Sequence, residues 1–163
     1  MNAYCFLLFM SADNLSQIII ETYTKYDLIR SPDNVSISTT ALSPTQVFVL
    51  VRSTTLLPTN HPLFYTQFKI DYEKKTSFDG FLTIYPERQR QGIGRRLVQA
   101  REEICIAEGI DLIVINKQSI PKFWKKCGYK PLTFFQRWRR ENKIQSINYS
   151  GNWSTLMYKE LYI

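Results

Sequence analysis

The feature that most constrains the fold is a short stretch, residues 82–98, that joins an apolar strand to a helix through a glycine turn. Its apolar, β-branched beginning predicts a buried strand. Pro86 ends that strand because proline has no N–H to donate to a ladder. Gly92 and Gly94 follow, and glycines let the backbone turn tightly and come close to a ligand. The sequence therefore predicts a strand, a tight turn and a helix in direct succession.

The start of this helix is predicted to bind phosphate. The first N–H groups of a helix have no partner within the helix, and the dipole makes that end positive. Such an end binds phosphate, and Arg90, Arg95 and Arg96 add positive charge beside it. The alternative is a plain strand-to-helix turn whose arginines are merely solvated.

The same turn resembles motif A of the GNAT superfamily, the acyl-CoA-dependent N-acetyltransferases. The motif is Gln/Arg-x-x-Gly-x-Gly/Ala, which Gln89, Gly92 and Gly94 satisfy. A strand precedes the glycines and a predicted helix follows them, which is the structural context that gives such a motif weight.

Two further stretches resemble the same superfamily. Residues 123–129 resemble its motif B, usually Phe-Tyr-x-x-x-Gly-Phe, in which Phe123, Gly128 and Tyr129 fit. Residues 156–161 resemble its closing strand. The resemblance therefore covers nearly the whole chain.

The order of predicted elements is also that of the superfamily. Gly80, inside a strand pattern, marks a β-bulge or a close backbone approach. Periodicity and turn residues predict a strand at 3–10, a helix at 14–28, a loop at 30–45 with at most one helical turn, strands at 46–52, 64–72 and 77–85, a helix at 92–108, a strand at 111–116, a short helix at 122–126 after a cap at Ser119, and strands at 131–138 and 153–162.

These elements predict an α/β protein with an antiparallel meander at 46–85 and a βαβ unit whose strands are parallel. The resemblance implies a GNAT-like fold, in which a central mixed sheet of six to seven strands is flanked by helices. That sheet is splayed between the strands that end at Tyr85 and Asn116. With no repeat and no long linker, the chain is expected to form a single acetyltransferase domain over residues 1–163.

The resemblance implies acetyl-CoA as a co-substrate and no metal. The pantetheine arm would lie in the splay beside the first of these strands, and the pyrophosphate would lie on the N–H groups of the glycine turn. The short helix would flank the CoA from the other side. The residues that the resemblance assigns to CoA binding are Leu82, Thr83, Ile84, Gln89, Arg90, Gln91, Gly92, Ile93, Gly94, Arg95, Arg96, Asn116, Lys117, Phe123 and Lys126.

The implied reaction transfers the acetyl group directly from acetyl-CoA to a primary amine. It needs a base for the acceptor ammonium, a donor for the oxyanion and an acid for the leaving thiolate. A backbone N–H near Leu82 or Ile84 is suited to the oxyanion. These requirements direct attention to the carboxylates and phenols near the glycine turn.

Two positions depart from the superfamily pattern. Phe78 stands eleven residues before Gln89, where several members carry a carboxylate, so its neighbour Asp79 becomes the base candidate, ahead of Asp71 and Glu73. Trp124 replaces the usual tyrosine acid, and an indole N–H is not a useful acid. These departures leave open a CoA-binding or interaction module with the same fold and little or no catalysis.

Two other reactive residues, Cys127 and His61, are not expected to take part in the reaction. Cys127 lies beside motif B, but no base is identified near it, so the sequence favours a small residue at a helix end over a covalent nucleophile. The only histidine, His61, precedes a proline and is expected at the surface.

Composition indicates a globular intracellular protein. A length of 163 residues, 44% of them apolar, fits one domain. Three widely spaced cysteines predict reduced thiols, and hence a cytoplasmic protein. The apolar start lacks a basic leader and a cleavage site, and no run reaches the roughly 18 apolar residues of a membrane helix, so neither a signal peptide nor a membrane partner is expected.

The net charge of +7 is concentrated in the second half of the chain. From Arg88 onward there are 15 Lys and Arg against 6 Asp and Glu, whereas before it there are 6 against 8. A basic half predicts an anionic ligand or partner. Binding of the CoA phosphates would account for part of this positive charge. Arg137, Arg139 and Arg140, interleaved with aromatics, predict a nucleic acid such as tRNA, or an acidic protein, against the alternative of a solvated strand end. The acceptor, and the choice between monomer and homodimer, stay open.

Overall fold

The computed structural model describes residues 3–55, 62–116, 120–133 and 155–162. Three α-helices and seven strands lie within these residues. The helices are α1 (Ala3–Lys25), α2 (Ile93–Ala107) and α3 (Pro121–Lys126), and the strands are β1 (Val35–Ser43), β2 (Gln46–Ser53), β3 (Phe64–Asp71), β4 (Thr76–Ile84), β5 (Leu112–Asn116), β6 (Lys130–Pro131) and β7 (Leu156–Glu160).

The seven strands form one mixed sheet in the order β1-β2-β3-β4-β5-β7-β6. The first four make an antiparallel meander. β4 and β5 are parallel, with α2 as the crossover between them. β7 is antiparallel to both β5 and β6. The predicted α/β class, the meander and the parallel βαβ unit are therefore confirmed.

The start of the chain is helical, so the strand predicted at residues 3–10 is wrong. Helix α1 runs without interruption from Ala3 to Lys25. A short apolar run cannot be told from a buried helical segment by periodicity alone. No glycine or proline stands between the run and the helix predicted at 14–28, so nothing in the sequence forces a break between them.

Strand β1 corrects the loop predicted at residues 30–45. The one helical turn is present, as the 3-10 turn Pro32–Asn34, but the strand after it pairs with β2 along its length. The Ser and Thr residues that suggest a loop lie mostly on the exposed side of an alternating strand. Val35 and Ile37 pack against the core on the other side.

A β-bulge at Gly80 divides β4 into two parts. The register with β3 passes from Asp79 opposite Phe68 directly to Phe81 opposite Gln67, so Gly80 has no partner. The interior glycine therefore marks a bulge, as its position in the sequence predicts.

The parallel pairing between β4 and β5 ends at this bulge. Its register covers four pairs and stops where Asp79 lies opposite Ile115. Among the described residues, positions 81–84 pair with β3 only, while Asn116 pairs with Leu156 of β7. The sheet is therefore open between the described ends of β4 and β5, and this gap is called the opening below.

The helices cover one face of the sheet, where the larger of two buried clusters forms. It joins Leu15 and Ile19 of α1 and Leu97 and Ile104 of α2 to inward side chains of the strands. Because side chains alternate along a strand, the neighbouring residues of β5 face the other way. Together with residues of β7 and Leu132, they form the smaller cluster, whose buried members are Leu112, Val114, Leu132, Leu156 and Tyr158.

The end of the chain follows the prediction in part. β7 confirms the closing strand, although it is shorter than predicted. β6 has only two residues, and Leu132 and Thr133 after it are not in a strand. The remainder of the strand predicted at 131–138, the polar connection at 139–152 and the basic run at 137–140 lie outside the described residues.

Candidate active site

The glycine turn, residues 89–94, uses backbone conformations that most residues avoid. Arg90 and Gly92 have φ angles of +62° and +79°, in the left-handed region that glycine tolerates best. Gln89 fixes the turn from its other end, since its side-chain amide donates to the carbonyl oxygen of Ile84 at 3.0 Å. The Gln91 amide likewise donates to the Glu87 carbonyl at 3.3 Å. These bonds tie the turn to the end of β4.

The turn places the start of α2 beside the opening. Gly92 is the residue before the helix, and the Arg96 N–H donates to its carbonyl at 3.1 Å. The N–H groups of Ile93, Gly94 and Arg95 precede that bond, and helices leave such groups without an internal partner. Three N–H donors and the positive end of the helix dipole therefore lie beside the last residues of β4.

Gly94 marks a close contact between three elements. A Cβ atom at this position would lie 3.1 Å from Cδ1 of Ile84 on β4 and 3.3 Å from Cζ of Phe123 on α3. Such distances are shorter than ordinary van der Waals contact, so the neighbours would have to shift. The absence of a Cβ at this position thus lets Ile84 and Phe123 pack closely against the start of α2.

Arg96 does not extend its side chain toward the turn. Its Nη1 donates to the carbonyl oxygens of Asp27 at 3.0 Å and Tyr26 at 3.3 Å, and it forms an ion pair with the Asp27 carboxylate at 3.3 Å. The guanidinium therefore binds the end of α1. Arg90 and Arg95, by contrast, are exposed beside the turn.

We expect the arginines to differ in their effect on CoA binding. An exposed charge near a helix end contributes about 0.3–1 kcal/mol, so replacing Arg90 and Arg95 together with Met should weaken binding about tenfold. Arg96→Met should weaken it by less than about threefold, because its guanidinium is engaged at α1. Titration calorimetry with CoA measures both variants. Equal losses in the two would return Arg96 to the phosphate site.

The base candidates lie at two separate places: Asp79 is near the middle of β4, whereas Asp71 and Glu73 are at the hairpin between β3 and β4. The backbone of Asp79 occupies the last paired position before the opening. Asp71 lies at the far hairpin, is 3% exposed and accepts hydrogen bonds from the Gln46 amide and the Lys74 N–H, at 2.7 and 3.0 Å. Glu73, in the same hairpin, pairs with Lys74 at 3.2 Å. Position along the strand therefore favours Asp79 over the other two.

Phe78 and Trp124, the two departures from the motif pattern, both have packing roles. Phe78 is partly buried against the smaller cluster. Trp124 is 5% exposed within the larger one. Its ring makes edge-on contacts with Phe123 and Tyr129, with centroids 5.1 and 5.3 Å apart. Both side chains thus contribute apolar contacts to the core.

The other residues predicted to bind CoA differ in how far they are buried. Leu82 and Ile84 are half-buried against the larger cluster, as is Phe123. Asn116 is half-buried at the end of β5, Thr83 is exposed on β4, and Lys126 is exposed in the last turn of α3. Lys117 lies outside the described residues.

A partly buried ion pair, absent from the sequence prediction, joins α2 to β7. Lys159 of β7 is 2.7 Å from Glu102 of α2 and also donates to the Cys127 carbonyl at 3.0 Å. The two charged residues are 57 positions apart, and no local pattern connects them. Only the fold brings them together.

The described residues contain neither a metal-binding cluster nor a membrane-spanning helix. In that part of the chain, no group of three or more His, Cys, Asp or Glu side chains is arranged to hold a metal ion. Nor does any described helix combine the length and apolar character needed to cross a membrane.

A mixed sheet with helices on it, and a glycine turn leading into α2, define the chain as an α/β protein. The comparison with family profiles narrows the class: the Acetyltransferase (GNAT) family matches residues 15–129, which is well over half of the chain. This chain belongs to the GNAT family of acetyltransferases. The comparison with curated proteins gave no match.

Solved structures share the fold at low sequence identity. Tetrahymena GCN5 is 16% identical, with a TM-score of 0.56 over 71% of this chain and 69% of that chain. A GNAT acetyltransferase from Staphylococcus aureus Mu50 is 16% identical, with a TM-score of 0.54 over 92% of each chain. N-acetylglutamate synthase from Neisseria gonorrhoeae, solved with coenzyme A and L-arginine, is 15% identical, with a TM-score of 0.51 over 71% of this chain and 25% of that one. At these identities the likeness shows the fold alone.

Proposed function

We propose that this protein transfers an acetyl group from acetyl-CoA directly to a primary amine. The observation that carries the proposal is the opening, which begins where the pairing of β4 with β5 stops at Asp79 and Ile115. It lies beside a helix start with three N–H donors and two exposed arginines. A diphosphate with a long, thin tail matches this combination of an anion site and an adjoining gap.

The residues present suit such a ligand. The N–H groups of Ile93, Gly94 and Arg95 are the candidates to hold the diphosphate, with Arg90 and Arg95 adding charge. Along β4, residues 82–84 are available on the side of the opening, where their backbone groups can pair with the amides of a pantetheine arm. When bound, acetyl-CoA supplies a thioester carbonyl and a thiolate leaving group.

The chain's own part in the reaction is positioning and proton transfer. An N–H of β4 near Leu82 or Ile84 stabilises the oxyanion that forms when the amine nitrogen bonds to the carbonyl carbon and the C–S bond then breaks. Asp79, at the position where the pairing of β4 with β5 stops, takes the proton that the acceptor ammonium loses before attack, directly or through water. The nitrogen loses its second proton to solvent as the amide forms. Because Trp124 is a packing residue and a poor acid, the leaving thiolate receives its proton from solvent.

Calorimetric titration with acetyl-CoA tests the first part of the proposal, and saturable binding is expected. Absence of binding would end it. An amine library combined with detection of released CoA thiol tests the second part, and it also identifies the acceptor.

A second candidate function keeps the fold and the CoA site but omits the chemistry. Two observations favour it: Phe78 and Trp124 stand where many GNAT proteins have a carboxylate and a tyrosine, and both have packing roles here. It predicts acetyl-CoA binding without thiol release for any amine. A tRNA acceptor, suggested by the basic run at 137–140, is a further arm of the same amine screen.

Cys127 is expected to have no covalent role. Burial raises the pKa of its thiol, and the nearby Glu102 carboxylate raises it further, so the nucleophilic thiolate is scarce at neutral pH. Cys127→Ala should therefore keep kcat/KM within about threefold. Intact-mass measurement during turnover should show no acetylated protein, and an acetyl adduct that disappears in the variant would contradict direct transfer.

A further inference from the structure

The partly buried ion pair between α2 and β7 also holds the end of α3. The Lys159 ammonium is 2.7 Å from Oε2 of Glu102 and donates to the Cys127 carbonyl at 3.0 Å. Cys127 is the residue that caps α3. The two charged side chains are only 28% and 14% exposed, so solvent weakens their attraction less than that of a surface pair.

The Lys159 ammonium also lies close to the residues that follow α3. Its Nζ lies 5.7 Å from the centre of the Tyr129 ring, within the range of a cation–π contact. A Cβ on Gly128 would lie 3.5 Å from the ammonium. A cation at the C-terminal end of a helix also complements its dipole and its free carbonyls. Lys159 therefore contacts the segment directly after α3 in two ways, through the Cys127 carbonyl and the Tyr129 ring.

A further contact of α3 lies at the proposed CoA site. Phe123, in the first turns of α3, comes close enough to Gly94 that an added Cβ would be 3.3 Å from its ring. Trp124 anchors the middle of this six-residue helix in the larger cluster, and the contacts at its two ends set how the helix is oriented around that anchor. The ion pair holds one end, and Phe123 faces the glycine turn at the other.

We infer that Lys159 is a positioning residue for CoA binding. Through Glu102 and the Cys127 carbonyl it fixes α3, and thereby holds Phe123 against the start of α2, where the diphosphate binds. The inference rests on the proposed function, because it gives Lys159 a role only if CoA binds at the glycine turn. Lys159 touches no reacting atom and acts only through α3.

Lys159→Met tests the inference. The variant should weaken CoA binding, and raise KM for acetyl-CoA, about tenfold, because Phe123 is no longer held in place. The kcat at saturation should stay within about twofold, since no reacting group is removed. Amide hydrogen exchange in residues 121–129 of the free protein should become faster. Lys159→Arg, which keeps the charge, should restore affinity to within about threefold of the wild type.

Adjacent carboxylates on α2 supply a matched control. Glu102 pairs with Lys159, whereas Glu103 accepts from Lys25 at 2.6 Å and from Tyr26 at 3.0 Å, both near the end of α1. Glu102→Gln should weaken CoA binding severalfold, and Glu103→Gln should not change it. Val49→Ala, a core change in β2 far from α3, shows whether lost stability alone affects affinity.

The outcomes separate this inference from the proposed function. If the wild type does not bind CoA, both are overturned. If the wild type binds CoA and Lys159→Met binds it equally well, the positioning role alone is overturned. Equal losses in Glu102→Gln, Glu103→Gln and Val49→Ala overturn it too, because they would reflect stability and not α3. If Lys159→Met does not fold, the Glu102→Gln result decides.

Discussion

Gly94→Asp is expected to weaken CoA binding at least about 100-fold. The new carboxylate would lie in the first turn of α2, among the N–H groups that bind the diphosphate. Like charges about 4 Å apart near a protein surface repel by roughly 4 kcal/mol, and each 1.4 kcal/mol is a factor of ten in affinity. The added side chain also fills the space next to Ile84 and Phe123. Calorimetric titration with CoA measures the loss.

Gly94→Ala is the matched control for Gly94→Asp. It adds the same Cβ without the charge, the neighbours it meets at 3.1 and 3.3 Å are ends of side chains, and the motif itself accepts alanine at this position. Its CoA affinity should stay within about tenfold of the wild type. An acidic residue in the first turn favours the helix, so Gly94→Asp should remain folded. Wild-type affinity in that variant would exclude the glycine turn as the CoA site.

Trp124→Ala should have the largest effect on stability. The indole is 5% exposed, and it packs between Phe123 and Tyr129. Truncating a buried aromatic to alanine costs about 3–5 kcal/mol, which for a chain of this size lowers Tm by on the order of 10 °C. Chemical denaturation with urea gives the free energy of unfolding, and a thermal melt gives the shift in Tm.

Trp124→Tyr separates packing from catalysis. It restores the residue that the motif usually has, but the structure places position 124 in the core. The variant should therefore lose stability moderately and leave kcat within about threefold. A tenfold gain in kcat, with a new basic limb in the pH–rate profile, would show that a phenol at this position reaches the thiolate after all.

Local signals predicted the part of the fold around the glycine turn. The strand before Pro86, the helix after Gly92 and the bulge at Gly80 each depend on the backbone preferences of one or two residues. The same logic failed where a pattern is ambiguous. The apolar residues 3–10 satisfy a strand and a helix equally well, and the Ser and Thr residues of β1 resemble a loop until β2 pairs with them.

The candidate site was predictable in its backbone and not in its side chains. Glycine spacing identified the turn, because positive φ angles and close contacts leave a mark on the sequence. The contacts of the Arg96, Trp124 and Lys159 side chains leave no such mark on the sequence. Arg96 binds a residue 69 positions away, and Lys159 binds one 57 positions away, so only tertiary packing determines their partners.

The bulge at Gly80 has a consequence for how such a protein tolerates change. The separation of β4 from β5 begins at one extra residue in the chain, so it depends on a count of residues more than on the identity of the side chains that follow. Substitutions along the strand can accumulate without closing the sheet. Proteins that share only 16% of their residues with this one have the same overall fold, so most side chains can change while the architecture stays.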